Sequence, residues 1–177
     1  MSKIPEYVIA DVAEFVSFVL ESDRGYARSE YPDKIQFDRV KAALTANNEV
    51  TEILVNGFFT ALRTKKTGAV RGFLELGISP DCVEPSPLQT PALVAAVRVQ
   101  DKDSVNLLLQ FGASVEARDN HQINALTAAC QLKNSDIIAC LEMAGATHSR
   151  ASNSLHSTSP RLFNRNHDSD STANMSL

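Results

Sequence analysis

Histidine and cysteine are the residues of this chain best suited to proton transfer, nucleophilic attack or metal binding. There are four histidines and three cysteines, and such chemistry would need several of them to converge. Cys82, Cys130 and Cys140 form no CxxC pair, and their odd number and wide spacing do not make a disulfide framework. His121 falls on a predicted hairpin tip, and His148, His156 and His167 fall in or near a Ser-rich C-terminal stretch. The chain lacks HExxH, GxxxxGK[ST], GxSxG and a GxGxxG following a strand. Its carboxylates are scattered over turns and helix faces without a converging pair. The expectation is a non-enzyme with no catalytic residue, no metal site, no cofactor and no small-molecule ligand.

One cationic cluster does stand out: Arg63, Lys65, Lys66 and Arg71. Guanidinium forks suit carboxylates and phosphates, so this is a candidate patch for an acidic segment or a phosphate group. A plain solvated turn would carry the same residues.

The elements that must position these groups are written as a repeat. Gly112 and Gly145 lie 33 residues apart, and at that offset Leu93 falls on Leu126, Ala96 on Ala129, Val105 on Ile138 and Leu108 on Leu141. Gly77 lies 35 residues before Gly112, and Phe58, Ala61, Val70, Phe73 and Leu74 then fall on Leu93, Ala96, Val105, Leu108 and Leu109. The two extra residues belong to the proline-rich connector 83–91. Three copies result, at 58–77, 93–112 and 126–145. Leu93, Ala96 and Val97 make one helical face, and Val105, Leu108 and Leu109 make a second after a polar break. Asp101 and Asp103 are candidate caps of a second helix, as are Asn134 and Asp136 in the next copy. Thr90-Pro91 reads as a helix start, and Gly77, Gly112 and Gly145 read as left-handed stops. Cys130 and Cys140 occupy apolar slots of the pattern, where small buried residues are expected. A single helix pair cannot bury its apolar face, so the copies must stack.

This pattern resembles the ankyrin repeat, a 33-residue unit of two helices and a hairpin. Pro91-Ala92-Leu93-Val94-Ala95-Ala96, Leu107-Leu108-Leu109 and Gly112-Ala113 carry the resemblance in the second copy. Asn124-Ala125-Leu126-Thr127-Ala128-Ala129, Leu141 and Gly145-Ala146 carry it in the third. The first copy is the most degenerate. The family's histidine is replaced by Phe59, Val94 and Thr127, which removes its hydrogen bonds to neighbouring loops. Gln122 stands where the hairpin tip usually has glycine, so looser or differently shaped hairpins are expected. Glu142 replaces an apolar residue, as suits a C-terminal cap. The resemblance implies an all-α helix-turn-helix solenoid that binds proteins through hairpin tips and the concave face of its first helices. Carried onto this chain, it implies Glu116, Arg118, Asn120, His121 and Gln122 at a tip, with Arg98 and Gln131 at first-helix ends near the concave side.

The flanks differ in texture. Residues 1–57 read as a helical N-terminal cap, or as one worn repeat, with Gly57 a weak point where helix 49–62 runs into the first copy. Repeats are expected over 58–148. Residues 149–177 are rich in Ser and Asn without periodicity, as in disordered chains. Ser152 and Ser159 there are candidate phosphorylation sites, which gives the alternative of a regulatory subunit switched through its tail. The formal net charge of the chain is -4, and hydrophobic residues make up 44%. That composition supports a folded core and argues against nucleic-acid binding, which needs many cations facing phosphates. No signal peptide or membrane span is expected. The composition and the unpaired cysteines predict a soluble protein of the cytoplasm or nucleus.

Overall fold

The computed structural model describes residues 6–21, 34–46 and 48–146. Eight helices occur among the described residues: α1 (Glu6–Glu21), α2 (Lys34–Ala46), α3 (Asn48–Arg63), α4 (Thr67–Leu76), α5 (Ala92–Arg98), α6 (Lys102–Gln110), α7 (Ala125–Gln131) and α8 (Ser135–Met143). Several run only seven to ten residues. Helices this short do not hold their form alone in water, so tertiary burial must stabilise them.

That burial follows the repeat. The pairs α3–α4, α5–α6 and α7–α8 are helical hairpins, with α3, α5 and α7 stacked in one row and α4, α6 and α8 in another. Phe58, Leu93 and Leu126 occupy equivalent places in the first row and are fully buried or nearly so. Ala61, Ala96 and Ala129 are each 0% exposed, and their small side chains allow adjacent helices to approach. Phe73, Leu108 and Leu141 serve the second row and are also 0% exposed. Burying one such side chain stabilises by about 1.5–3 kcal/mol. The equivalent of Glu142 is buried in the first copy (Leu74), half-buried in the second (Leu109) and exposed in the third, so the stack becomes polar toward its C-terminal end.

The backbone repeats with equal regularity. Lys65, Gln100 and Lys133 all take positive φ at the turn between paired helices. Each turn closes with a hydrogen bond from the next residue back into the first helix: Lys66 to Ala61, Asp101 to Ala96 and Asn134 to Ala129. Gly77, Gly112 and Gly145 take φ of 116°, 85° and 90°, and the residue after each donates to the carbonyl of Phe73, Leu108 or Leu141. The connectors then bend outward as short hairpins, pinched by bridges between Val83 and Pro91 and between Arg118 and Asn124.

At the other end, α1 lies against α3 and α2, and α2 also touches α3 and α4. Aromatic contacts join these layers. Phe15 meets Phe37 at 6.2 Å between ring centroids and Phe73 at 5.9 Å, and Phe73 meets Phe58 at 6.2 Å. Gly57 is not a weak point. It is buried inside α3, which continues unbroken across 57–58. A Cβ there would come within 3.0 Å of both Phe73 and Val16, so the absent side chain is what lets α1 and α4 close on α3.

Two further expectations change. Asp101 sits at the N-cap of α6 but makes no side-chain cap bond. Its carboxylate instead accepts the Ser104 hydroxyl at 2.5 Å. Asn134 does cap α8, accepting from the Ile137 N–H at 3.2 Å, and Asn124 caps α7, accepting from Thr127 at 2.9 Å. Cys130 is exposed and Cys140 half-buried, so neither fills the interior slot expected of it. Both point off the last helix pair, where no further copy among the described residues covers them.

Candidate binding surface at the hairpins

The second hairpin is built around one carboxylate. Asp119 is 2% exposed. Its Oδ1 accepts from the backbone N–H groups of His121 and Ile123, both at 2.9 Å, and its Oδ2 accepts from Arg98 Nη2 at 2.6 Å. The Asp119 N–H in turn donates to the Ile123 carbonyl at 3.1 Å, and the Gln122 N–H donates to the Asp119 carbonyl at 2.9 Å. Arg98 also donates through Nη1 to Thr90 Oγ1 at 3.2 Å, which ties α5 to the start of its own helix and to the next connector. Burial alone would raise the Asp119 pKa. The hydrogen bonds from Ile123, Arg98 and His121, with the Arg98 charge, outweigh it and hold the carboxyl below its ordinary 3.8.

Gln122 reaches its place by adopting φ of 62°, and Gln89 at the tip of the first hairpin adopts φ of 45°. The missing tip glycine therefore does not loosen these hairpins. Each glutamine takes the left-handed conformation at a cost of about 1 kcal/mol, repaid by the surrounding hydrogen bonds. The loop-to-loop bonds lost with the family's histidine have a replacement. Asn120 donates from its backbone to the Leu88 carbonyl at 3.0 Å and from Nδ2 to the Pro87 carbonyl at 2.7 Å. Asp81 adds a further tie between copies, accepting from the Ser114 N–H at 2.7 Å.

The side chains expected at the tip divide by use. Arg98 and Asn120 are engaged in holding the hairpins. Glu116, Arg118, His121 and Gln122 are exposed along the outer edge. Glu116 and Arg118 approach to 3.7 Å, and Arg118 Nη1 donates to the Gln122 carbonyl at 3.3 Å. Gln131 is exposed at the end of α7. It stands where Arg98 stands in the copy before and Arg63 in the copy before that.

The cationic cluster is divided in a similar way. Arg63 at the end of α3 pairs with Glu84 of the first hairpin. Lys66 donates from Nζ to the Leu20 carbonyl at the end of α1. Lys65 and Arg71 are exposed. Two of the four cations are thus turned toward separate neighbours, and the structure does not gather them into one anion cradle.

Sequence reading missed the acidic partners, Glu84 and Asp119. A signal for them exists: Arg63–Glu84 and Arg98–Asp119 share a separation of 21 residues, and the two pairs lie 35 residues apart, the offset of the first two copies. Also missed is a groove of about 610 Å³ between the N-terminal half of α3 and the first hairpin. Among the described residues, no group of three or more His, Cys, Asp or Glu is placed to hold a metal ion. Burial, with the neighbouring Asp81 charge, pushes the Cys82 thiol up to about 12, so it is protonated and unreactive at neutral pH. Ser152, Ser159, His148, His156 and His167 lie outside the described residues.

The ankyrin repeat family model matches residues 89–120. Over those residues the chain is similar to an ankyrin repeat. The match covers all of α5 and α6 and the second hairpin as far as Asn120, and the all-α helix-pair stack around it is ankyrin-like. An ankyrin repeat points to a protein–protein interaction module. No curated protein matches this chain. None of the described helices is long and apolar enough to cross a membrane.

Proposed function

We propose that this protein is a non-catalytic interaction module that binds a protein partner through its hairpin tips and the adjoining first-helix face, and so adapts, recruits or masks that partner. One observation carries this reading. The second hairpin is fixed from within by Asp119, while Glu116, His121 and Gln122 stay exposed on its outside. A loop already held in one conformation loses little entropy on binding, so more of its contact energy becomes affinity. The α1–α2 pair acts as the N-terminal cap, covering the end of the α3–α4 copy through the Phe15, Phe37 and Phe73 cluster. The three unpaired cysteines suit a reducing compartment, the cytoplasm or nucleus.

The test is a crosslinked pulldown with the full chain, beside a variant with Glu116, Arg118, His121 and Gln122 replaced by Ala and shown folded by circular dichroism. The reading expects a protein captured by the parent and lost by the variant. Equal capture by both would remove the tip from the binding face.

A further inference from the structure

The first hairpin is larger than the second, and the difference builds a surface. Five residues lie between Glu84 and Thr90, whose backbones pair, against three between Asp119 and Ile123. Pro85, Ser86, Pro87 and Gln89 of the enlarged segment line the groove of about 610 Å³ opposite Thr51, Glu52 and Val55 of α3. Val83 is 45% exposed at its edge, and Pro85 and Pro87 are exposed beside it. Proline rings offer rigid apolar surface with little entropy left to lose. Among the described residues no lysine or arginine lines the groove, but Glu52 and Glu84 do. Arg63 already pairs with Glu84, while Glu52 is exposed on the opposite wall, with the exposed Glu49 three residues before it on α3.

A preformed cleft with apolar walls and an acidic rim selects an apolar side chain next to a cation. We propose that this groove receives an extended peptide of a partner protein, seating an apolar side chain between Val55, Val83 and Pro85 and a lysine or arginine against Glu52. The proposal rests on the interaction-module reading and names its partner's chemistry. The enlarged hairpin makes the groove a feature of the α3 side of the molecule, distinct from the compact tip at His121 and Gln122.

The experiment is selection of random dodecapeptides displayed on phage against the immobilised full chain. Fluorescence anisotropy of an enriched peptide then follows, with parent, Glu52→Lys, Val83→Ser and a His121→Ala, Gln122→Ala double variant. The expected result is enrichment of an apolar residue beside Lys or Arg. Glu52→Lys should weaken binding about tenfold or more, with a loss that shrinks at high salt, and Val83→Ser should weaken it several-fold. The double variant should bind as the parent does. Peptides without a cation, no enrichment over the Glu52→Lys chain, or binding unchanged by Glu52→Lys would each overturn the groove. Loss confined to the double variant would overturn the groove and leave the tip reading standing. Loss with no variant would count against both.

Discussion

Arg63–Glu84 and Arg98–Asp119 occupy equivalent places in successive copies, yet the two pairs do different work. The side chain of Asp119 is 0% exposed and that of Glu84 is 22% exposed, and their arginines are 36% and 56% exposed. The cause is in the loops. Behind Asp119, three residues turn so tightly that two N–H groups point back at its carboxylate. Behind Glu84 the loop is two residues longer, and Ser86, flanked by Pro85 and Pro87, stands where His121 stands in the next copy. The intervening Ser86 N–H donates to the Glu84 carbonyl instead, and the Ser86 hydroxyl is buried without a partner among the described residues. One arginine–carboxylate spacing therefore yields a closed, internally bonded tip in one copy and an open, groove-forming loop in the other. The comparison teaches that the side-chain pair sets where a hairpin is anchored, and loop length with donor supply sets how tightly it folds.

The sharpest way to break this contrast is Asp119→Ala. It leaves the His121 and Ile123 N–H groups and the Arg98 guanidinium without their acceptor, and it should destabilise by about 2–3 kcal/mol, read by urea denaturation. Glu84→Ala is the matched control and belongs near the small end of the scale. The acid limb of stability carries the same signature. Because the folded pKa of Asp119 is depressed, its contribution is complete above the ordinary carboxylate pKa and is lost as pH falls through the lower folded value. Between neutral pH and about pH 2 the parent should lose more stability than Asp119→Ala, measured as urea midpoints across that range.

Next in size is Asn120→Ala. It removes the Nδ2 bond to the Pro87 carbonyl while keeping the backbone bond to Leu88. A cost of about 1 kcal/mol is expected, with faster amide exchange in the first hairpin as well as the second. Glu84→Ala should cost less than about 1 kcal/mol, as for other partly exposed ion pairs. Smallest is Gln122→Gly, which relieves a left-handed side chain but adds freedom to the unfolded chain. The balance should stabilise by about 0.5 kcal/mol or less, seen as a small rise in melting temperature.

Much of the fold was legible because burial in a stack repeats. Leu93, Ala96 and Leu108 recur at 126, 129 and 141 for one geometric reason, and the glycine stops mark the same left-handed turn in each copy. The surface was less legible. Arg98 and Asn120 read as partner contacts by position, yet their polar atoms are engaged within the fold by Asp119 and by the carbonyls of the preceding loop. Those partners lie 21 and 33 residues away, beyond the reach of local pattern. Cys130 read as buried because its slot is apolar in a continuing array, whereas the last helix pair leaves it open. The groove beside α3 was foreshadowed only by the 35-residue offset, since two added residues say that a loop is longer and not what it faces.

The most direct test of the tip as a binding face is site-specific photocrosslinking in the full chain. A benzophenone amino acid is placed at His121, on the hairpin tip, or at Met143, 89% exposed at the end of α8. Both positions face solvent, so exposure alone does not separate them. The account predicts a crosslinked protein partner from position 121 and none from position 143. Crosslinking from 143 with none from 121 would contradict it, placing the binding face on the terminal helix pair instead of the hairpins.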